Sequence, residues 1–454
     1  MEVGTLKKSI FNKSIISLLV LVLLVGIASP FKQANAAVDL GIDAGAAILI
    51  EAETGRILYE KNADQVLGIA SMTKMMTEYL LLEAIHEGKI TWDTQYSVTD
   101  YVYKVSQDRS LSNVPLRADG TYSIKELYQA MTIYSANAAT IAIAETIAGS
   151  EGNFVKLMND KAAELGLDGY KFVNSSGLNN SDLKGYHSVG NEDEENVMNA
   201  KSTALLAKRL IDDYPEILET ASIPKLTFRE GTSDQIEMQN WNWMLPGLVY
   251  EYEGVDGLKT GTTSFAGLCF TGTIEVNGTR YITVVMNARD KNGGINDKKI
   301  RFDETAKMFN YAKANVGKEE IIPEGYKVEG NETLAVTKGK EKKVEIQTAE
   351  SISLVISADE RDKFTPVLTL NKELLNEEGQ LTAPVKKGDV VGTLTITSEE
   401  VDLSFLGDEY KDVLTVDVIA TEDVEKSNWF VLMFRGIGSF FGNLWDSVTG
   451  WFKK

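Results

Sequence analysis

Cysteine and histidine are almost missing from this chain. Among 454 residues there is one cysteine, Cys269, and there are two histidines, His86 and His187. A single cysteine excludes any intrachain disulfide. Cys269 lies in the apolar, strand-like run Ala266-Gly267-Leu268-Cys269-Phe270, the setting of a buried structural thiol rather than a nucleophile. His86 ends a leucine-rich helical stretch and His187 falls in a polar loop. That scarcity disfavours a histidine-based triad and a histidine-rich zinc site, so no metal or other cofactor is expected. Any activated nucleophile here needs a base other than imidazole. Positive charge is also short: 46 Lys and Arg against 66 Asp and Glu give a formal net charge of −20. Phosphate binding needs clustered positive charge, so nucleic acid is excluded as an expected partner.

The composition is otherwise that of an ordinary folded protein (43% hydrophobic, 25% charged, 9% aromatic), and the length suits two or three domains. The N-terminus reads as a secretory signal. Lys7, Lys8 and Lys13 supply its positive region, residues 15–28 are almost wholly apolar, and Ala34-Asn35-Ala36 gives a small-x-small cleavage pattern. The apolar run is short for a spanning helix. Cleavage after Ala36 would remove four Lys and one Glu, leaving 42 basic and 65 acidic residues and a net −23.

Residues 46–59 read as two strands joined at Glu53-Thr54-Gly55, and residues 71–88 turn helical. Residues 124–131, 138–148 and 200–211 give further helical patterns, with a polar, loop-rich stretch at 174–195. A strong β signal covers 257–262, 266–276 and 280–288, with Asn277-Gly278 as a two-residue hairpin turn, and a closing helix spans about 298–314. Strands at both ends with helices between predict one α/β (α+β) domain whose two ends meet in a common sheet. From about residue 321 short β-like runs with polar turns predict a separate small all-β domain, with the cluster Lys338 to Lys343 as a solvated turn. In the last 30 residues, Phe430, Met433, Phe434, Ile437, Phe441, Leu444, Trp445, Val448 and Phe452 recur at three- and four-residue spacing. Too polar to span a bilayer and rich in Trp and Phe, this segment predicts a helix lying in the membrane interface. Four glycines lower its helix propensity. The expected partition is 1–36 signal peptide, 37–320 catalytic domain, 321–424 small β domain and 425–454 amphipathic membrane-association helix.

Three strings carry chemistry: Ser71-Met72-Thr73-Lys74, Ser135-Ala136-Asn137 and Lys259-Thr260-Gly261. Ser-x-x-Lys arises by chance about twice in such a chain and Ser-x-Asn about once, but Lys-Thr-Gly only on the order of 0.1 times. Their order and setting make the set specific. Ser71 opens a helix, where the macrodipole and free N–H groups favour negative charge on its oxygen, and Lys74 shares its face. A lysine serves as base once its ammonium is desolvated or held near another cation. Ser135 and Asn137 sit in a break between helices, suited to relaying a proton and holding a peptide group. Lys259, Thr260 and Gly261 lie on a strand, where the cation attracts a substrate carboxylate and the glycine allows close approach.

This motif set, with Thr262-Thr263 after the third string, resembles the D-alanyl-D-alanine carboxypeptidases, the low-molecular-mass penicillin-binding proteins. The resemblance implies a serine β-lactamase/transpeptidase-like catalytic domain with helices around an antiparallel sheet, followed by the β domain and a membrane-associated tail. It implies attack by Ser71 on the bond between the two terminal D-alanines of a peptidoglycan stem peptide, through an acyl-enzyme. Lys74 would be the general base and Ser135 a proton shuttle, with Lys259 and Thr260 on the terminal carboxylate. The N–H groups of Ser71 and Thr262 would form the oxyanion hole. β-Lactams would acylate Ser71, on the outer face of the cytoplasmic membrane. Arg301 is either a second carboxylate ligand or a surface arginine. A class A β-lactamase needs Glu-x-x-Leu-Asn between the second and third motifs, and the nearest string here begins with Ser175. A non-catalytic penicillin sensor is the other alternative, against which the intact motif set argues.

Overall fold

The run Ala46–Glu51 (β1) is buried along its whole length, and its side chains alternate between two cores. Ala46, Ile48 and Ile50 belong to one apolar cluster, Ala47 and Leu49 to another. A strand that is apolar at nearly every position needs cover on both faces, and the computed structural model, which describes residues 38–431 and 433, supplies it. β1 is followed by β2 (Ile57–Lys61), and the other strands of this sheet come from far down the chain: β3 (Val255–Thr263), β4 (Gly267–Val276) and β5 (Thr279–Ala288). The order is β2-β1-β5-β4-β3, antiparallel throughout, with Ile48 opposite Val284. The two sequence ends therefore meet in one sheet.

One face of the sheet carries most helices: α1 (Lys74–His86), α2 (Asp100–Ser106), α3 (Ile124–Tyr134), α4 (Asn137–Ala148), α5 (Glu151–Glu164), α6 (Ala200–Asp213) and α7 (Ile217–Ala221). The other face is covered by α8 (Ile300–Asn315), whose Phe302, Met308 and Phe309 pack with Leu49, Phe270 and Val285. Local signals fix several starts. Ser123 and Glu126 form a reciprocal capping box at α3, and Ser150 and Asn199 cap α5 and α6. Helix α4 is apolar on nearly every side and is the buried centre of the helical layer.

After α8 the chain becomes all-β. Strand β6 (Val316–Ile322) pairs with β9 (Ile352–Ser357). A second sheet combines β7 (Thr333–Thr337), β8 (Lys343–Thr348), β10 (Thr365–Leu370), β11 (Leu381–Thr382), β12 (Val390–Thr397) and β13 (Thr415–Ala420) in the order β10-β12-β13-β8-β7-β11. These strands enclose their own core, including Val344, Leu354 and Leu394. Lys338 to Lys343 fall in and beside the β7–β8 turn. The β region docks on the turn between β1 and β2: Ile57 N donates to Ser404 O at 2.9 Å and Leu406 N to Gly55 O at 3.0 Å. Buried Arg56 reaches across to the Val355 carbonyl and to Glu360. Among the described residues no helix is long and apolar enough to cross a membrane. The expected leader, residues 1–36, and most of the expected amphipathic tail, 432 and 434–454, lie outside the described residues.

Candidate active site

A 3₁₀ turn, Ala70–Thr73, precedes α1 and carries Ser71. Ala70 holds a left-handed conformation, φ 46°, which costs a non-glycine residue on the order of 1 kcal/mol and persists only where its surroundings enforce it. No side chain caps this turn, so Ser71 is not serving as an N-cap. It is half-buried among fully buried neighbours, so its hydroxyl is reachable.

Lys74 is fully buried. Its Nζ donates to Ser71 Oγ at 2.8 Å, Asn137 Oδ1 at 2.8 Å and the Ser176 carbonyl at 2.7 Å. An unpaired ammonium out of water costs several kcal/mol, so the group favours neutrality. Burial holds Lys74 well below its usual value and the nearby Lys259 charge lowers it further, against an opposing pull from Glu78. Once neutral, the amine keeps its two N–H donors for Asn137 Oδ1 and the Ser176 carbonyl and turns its lone pair to the Ser71 hydroxyl 2.8 Å away, a base in place.

The second motif sits where α3 ends and α4 begins. Ser135 closes α3 in the left-handed region (φ 58°), a position usually given to glycine. That kink turns its hydroxyl toward Lys259, and Asn137, two residues on, meets Lys74. Asn137 Nδ2 in turn donates to Ser112 O at 3.0 Å, and Trp241 Nε1 donates to Ser112 Oγ at 2.9 Å, which fixes the amide.

Lys259, on β3, donates to Ser135 Oγ at 2.9 Å. It is buried beneath the cleft rather than lining it. Burial, opposed by the Glu78 charge and helped by Arg301, depresses it to about 8. Gly261 answers a packing demand. A Cβ there would lie 2.6 Å from Ile69 O and 3.2 Å from Met72 N. The missing side chain lets the serine turn press against the strand, where the sequence alone had suggested room for substrate.

Above these groups lies an open cleft of about 440 Å³ lined by Ser71, Ser135, Thr260, Gly261, Thr262, Tyr134, Trp241, Arg109, Lys298 and Arg301 among others. Arg301 is no surface residue. It is 2% exposed, and its Nη1 donates to Gly261 O at 2.9 Å, Thr262 Oγ1 at 2.9 Å and Cys269 O at 3.2 Å. The cleft thus joins a serine with its base, a second hydroxyl tied to a second lysine, and cationic walls, the equipment of acyl transfer to a serine from a substrate carrying a carboxylate.

Residues 32–290 match the family described as D-alanyl-D-alanine carboxypeptidase, peptidase S11. The chain belongs to this D-alanyl-D-alanine carboxypeptidase family. Residues 317–426 match the penicillin-binding protein 5 C-terminal domain. The chain is 31% identical over 404 residues to D-alanyl-D-alanine carboxypeptidase DacF of Bacillus subtilis, covering 88% of this chain and 90% of that protein. Against DacC of Escherichia coli it is 30% identical, covering 90% and 88%. A crystal structure of a peptidoglycan synthesis regulatory factor (PBP3) from Streptococcus pneumoniae superposes with a TM-score of 0.67 at 35% identity, covering 85% of this chain and all of that one. Penicillin binding protein 5 from Haemophilus influenzae gives 0.63 at 25% identity, covering 85% and 98%. Membership makes the chain a serine-type carboxypeptidase of cell-wall metabolism.

Three parts of this carboxypeptidase site were not read from the sequence. The Ser176 carbonyl, which accepts from Lys74, belongs to a loop anchored by Glu151, whose Oε1 accepts from Ser175 N at 2.9 Å and Ser175 Oγ at 2.6 Å. Gly177 in that loop has φ +81°, and a Cβ would fall 1.9 Å from Ala70 O. Glu78, one turn beyond Lys74 on α1, is buried with them. The one legible signal for Glu78 was an acidic residue inside the apolar helical run that starts at Lys74.

Proposed function

We propose that Ser71 of this carboxypeptidase attacks the carbonyl between the two terminal D-alanines of a peptidoglycan stem peptide, with Lys74 taking its proton. The observation that carries this reading is the contact between a buried, deprotonation-prone amine and the half-exposed serine hydroxyl at 2.8 Å. Lys74 and Ser135 then pass the proton to the leaving D-alanine, and water releases the shortened peptide from the acyl-enzyme. The N–H groups of Ser71 and Thr262 receive the developing oxyanion. Arg301 supports that assignment by tying down both Gly261 O and Thr262 Oγ1. Asn137 holds the substrate amide. The hydroxyls of Thr260 and Thr262 bind the terminal carboxylate in the field of Lys259 and Arg301. β-Lactams acylate Ser71 as mimics of the peptide. The loop at 174–180 turns a carbonyl, not a carboxylate, toward Lys74, which favours slow deacylation and so a carboxypeptidase over a β-lactamase of the class A type.

The partition into 37–320 and 321–424 is supported by the separate cores of the two regions and by the family match at 317–426. We place the enzyme outside the cytoplasm, at the membrane face, with the segment 425–454 as its interfacial anchor; the aromatic stripe in the sequence supports this. Peptide mapping after benzylpenicillin treatment tests the site: the adduct is expected on the peptide containing Ser71, and an adduct elsewhere overturns the assignment. Sedimentation with vesicles tests the anchor, which is overturned if a variant lacking residues 428–454 still sediments.

A further inference from the structure

Glu78 is 2% exposed and lies one helical turn from Lys74 on α1. Thr132 Oγ1 of α3 donates to its Oε1 at 2.9 Å, and no direct ion pair reaches it among the described residues. Three residues beyond Thr132, Ser135 accepts from Lys259 Nζ at 2.9 Å, so the end of α3 gathers Glu78 and the buried Lys259 of β3 into one cluster, with buried Lys74 on the helix of Glu78 itself. Arg301 of α8 faces Lys259 from beyond, and Tyr128 of α3 is the other titratable neighbour, its hydroxyl buried without a hydrogen-bond partner among the described residues. Burying a carboxylate with one hydrogen bond and no touching cation is costly, and the attraction of the nearby lysines is what offsets that cost.

The field is asymmetric. Burial raises the Glu78 carboxyl, and Lys259 leads the groups that oppose it, ahead of Thr132 and Lys74, leaving it at about 7. Glu78 is in turn the leading charge sustaining the Lys259 ammonium against burial and Arg301. At Lys74 its influence ranks behind both burial and the Lys259 charge. We propose that Glu78 is a positioning residue that partitions positive charge in the site: its carboxylate holds the proton on Lys259, and the Lys259 cation keeps Lys74 neutral as the base for Ser71. This role rests on those proposed above for Lys74 and Lys259.

The test compares the wild type with Glu78→Gln, which keeps the shape and removes the charge. D-Alanine release from a D-Ala-D-Ala peptide and acylation by benzylpenicillin are followed across the pH range. In Glu78→Gln the alkaline limb of kcat/KM moves to lower pH by about one unit, a loss approaching tenfold on that side, carried mainly by KM. The acid limb moves less, and Glu78→Asp restores the profile in part. A folded Glu78→Gln with both limbs unmoved overturns the proposal, whatever its melting temperature. If Glu78→Gln yields no folded protein, Thr132→Val removes the hydrogen bond that favours the ionised carboxylate and is expected to move the same limb in the same direction; an unmoved limb overturns the proposal. Lys259→Ala separates the two levels. An alkaline limb that survives in its acylation profile overturns the role of Lys259 and with it that of Glu78. A limb lost in Lys259→Ala but unmoved in Glu78→Gln overturns Glu78 alone.

Discussion

Lys259 Nζ donates to Ser135 Oγ at 2.9 Å, and the serine that receives it is held at φ 58°. Because the hydroxyl accepts from the lysine, its own proton is free to point toward the reacting atoms. The strained backbone is what aims it there. Ser135→Gly removes the hydroxyl and the strain together. It is expected to melt at or above the wild-type temperature while turning over about 10²-fold more slowly. Calorimetry and D-alanine release check this, and a clear drop in melting temperature would contradict it.

The pH dependence follows from the two lysines, which are needed in opposite states. Lys74 acts when neutral, and burial with the Lys259 charge holds it well below its usual value, so activity rises with pH through that lowered midpoint. Lys259 acts when charged, and burial depresses it to about 8, so activity falls as pH rises through that value. The expected kcat/KM profile is therefore a bell with its alkaline limb near 8. Activity that keeps climbing well beyond that limb would contradict the assignment.

Gly177→Ala tests the seat of the serine turn. Its Cβ would fall 1.9 Å from Ala70 O at a φ of +81°, so both clash and strain are expected. Urea unfolding should show a loss of about 3 kcal/mol or more, with penicillin acylation lost in parallel. Gly185 is the control. It has nearly the same φ, +80°, but a methyl added there would meet nothing within 4 Å, and its alanine variant should lose only about 1 kcal/mol.

Arg301→Gln removes a guanidinium that donates to three carbonyls, of Gly261, Cys269 and Lys298, and to the Thr262 hydroxyl. Loosening the strand edge and the cationic wall together should lower kcat/KM by about 10²-fold, with a rise in KM, as steady-state kinetics would show. Unchanged kinetics would return Arg301 to a purely structural role.

The elements nearest the chemistry were the most legible. Ser71 and Lys74 at i and i+3, the break carrying Ser135 and Asn137, and the Asn277-Gly278 hairpin all rest on short-range rules of period and turn chemistry, and β1 and β5 pair as the two-ended sheet requires. The stretch 174–195 is loop-rich, as its polarity predicts, but polarity does not reveal how much of it is out of water. Asn174, Ser175 and Ser176 are buried, their polar groups satisfied by one another, by Glu151 and by Asn196. Such mutual satisfaction is a long-range property that composition does not reveal. Helices α2 and α5 were missed for a related reason, since their caps at Thr99 and Ser150 are ordinary residues whose meaning depends on the packed face that follows. Gly261 and Arg301 likewise acquire their roles only when β3, the serine turn and α8 are brought together.

The most direct measurement follows D-alanine release from a D-Ala-D-Ala-ended peptide alongside formation of a labelled penicillin adduct, in the wild type and in Ser71→Ala. Free D-alanine and a long-lived adduct are expected in the wild type and neither in the variant. Rapid penicillin hydrolysis without D-alanine release, or D-alanine release that survives in Ser71→Ala, would contradict the assignment.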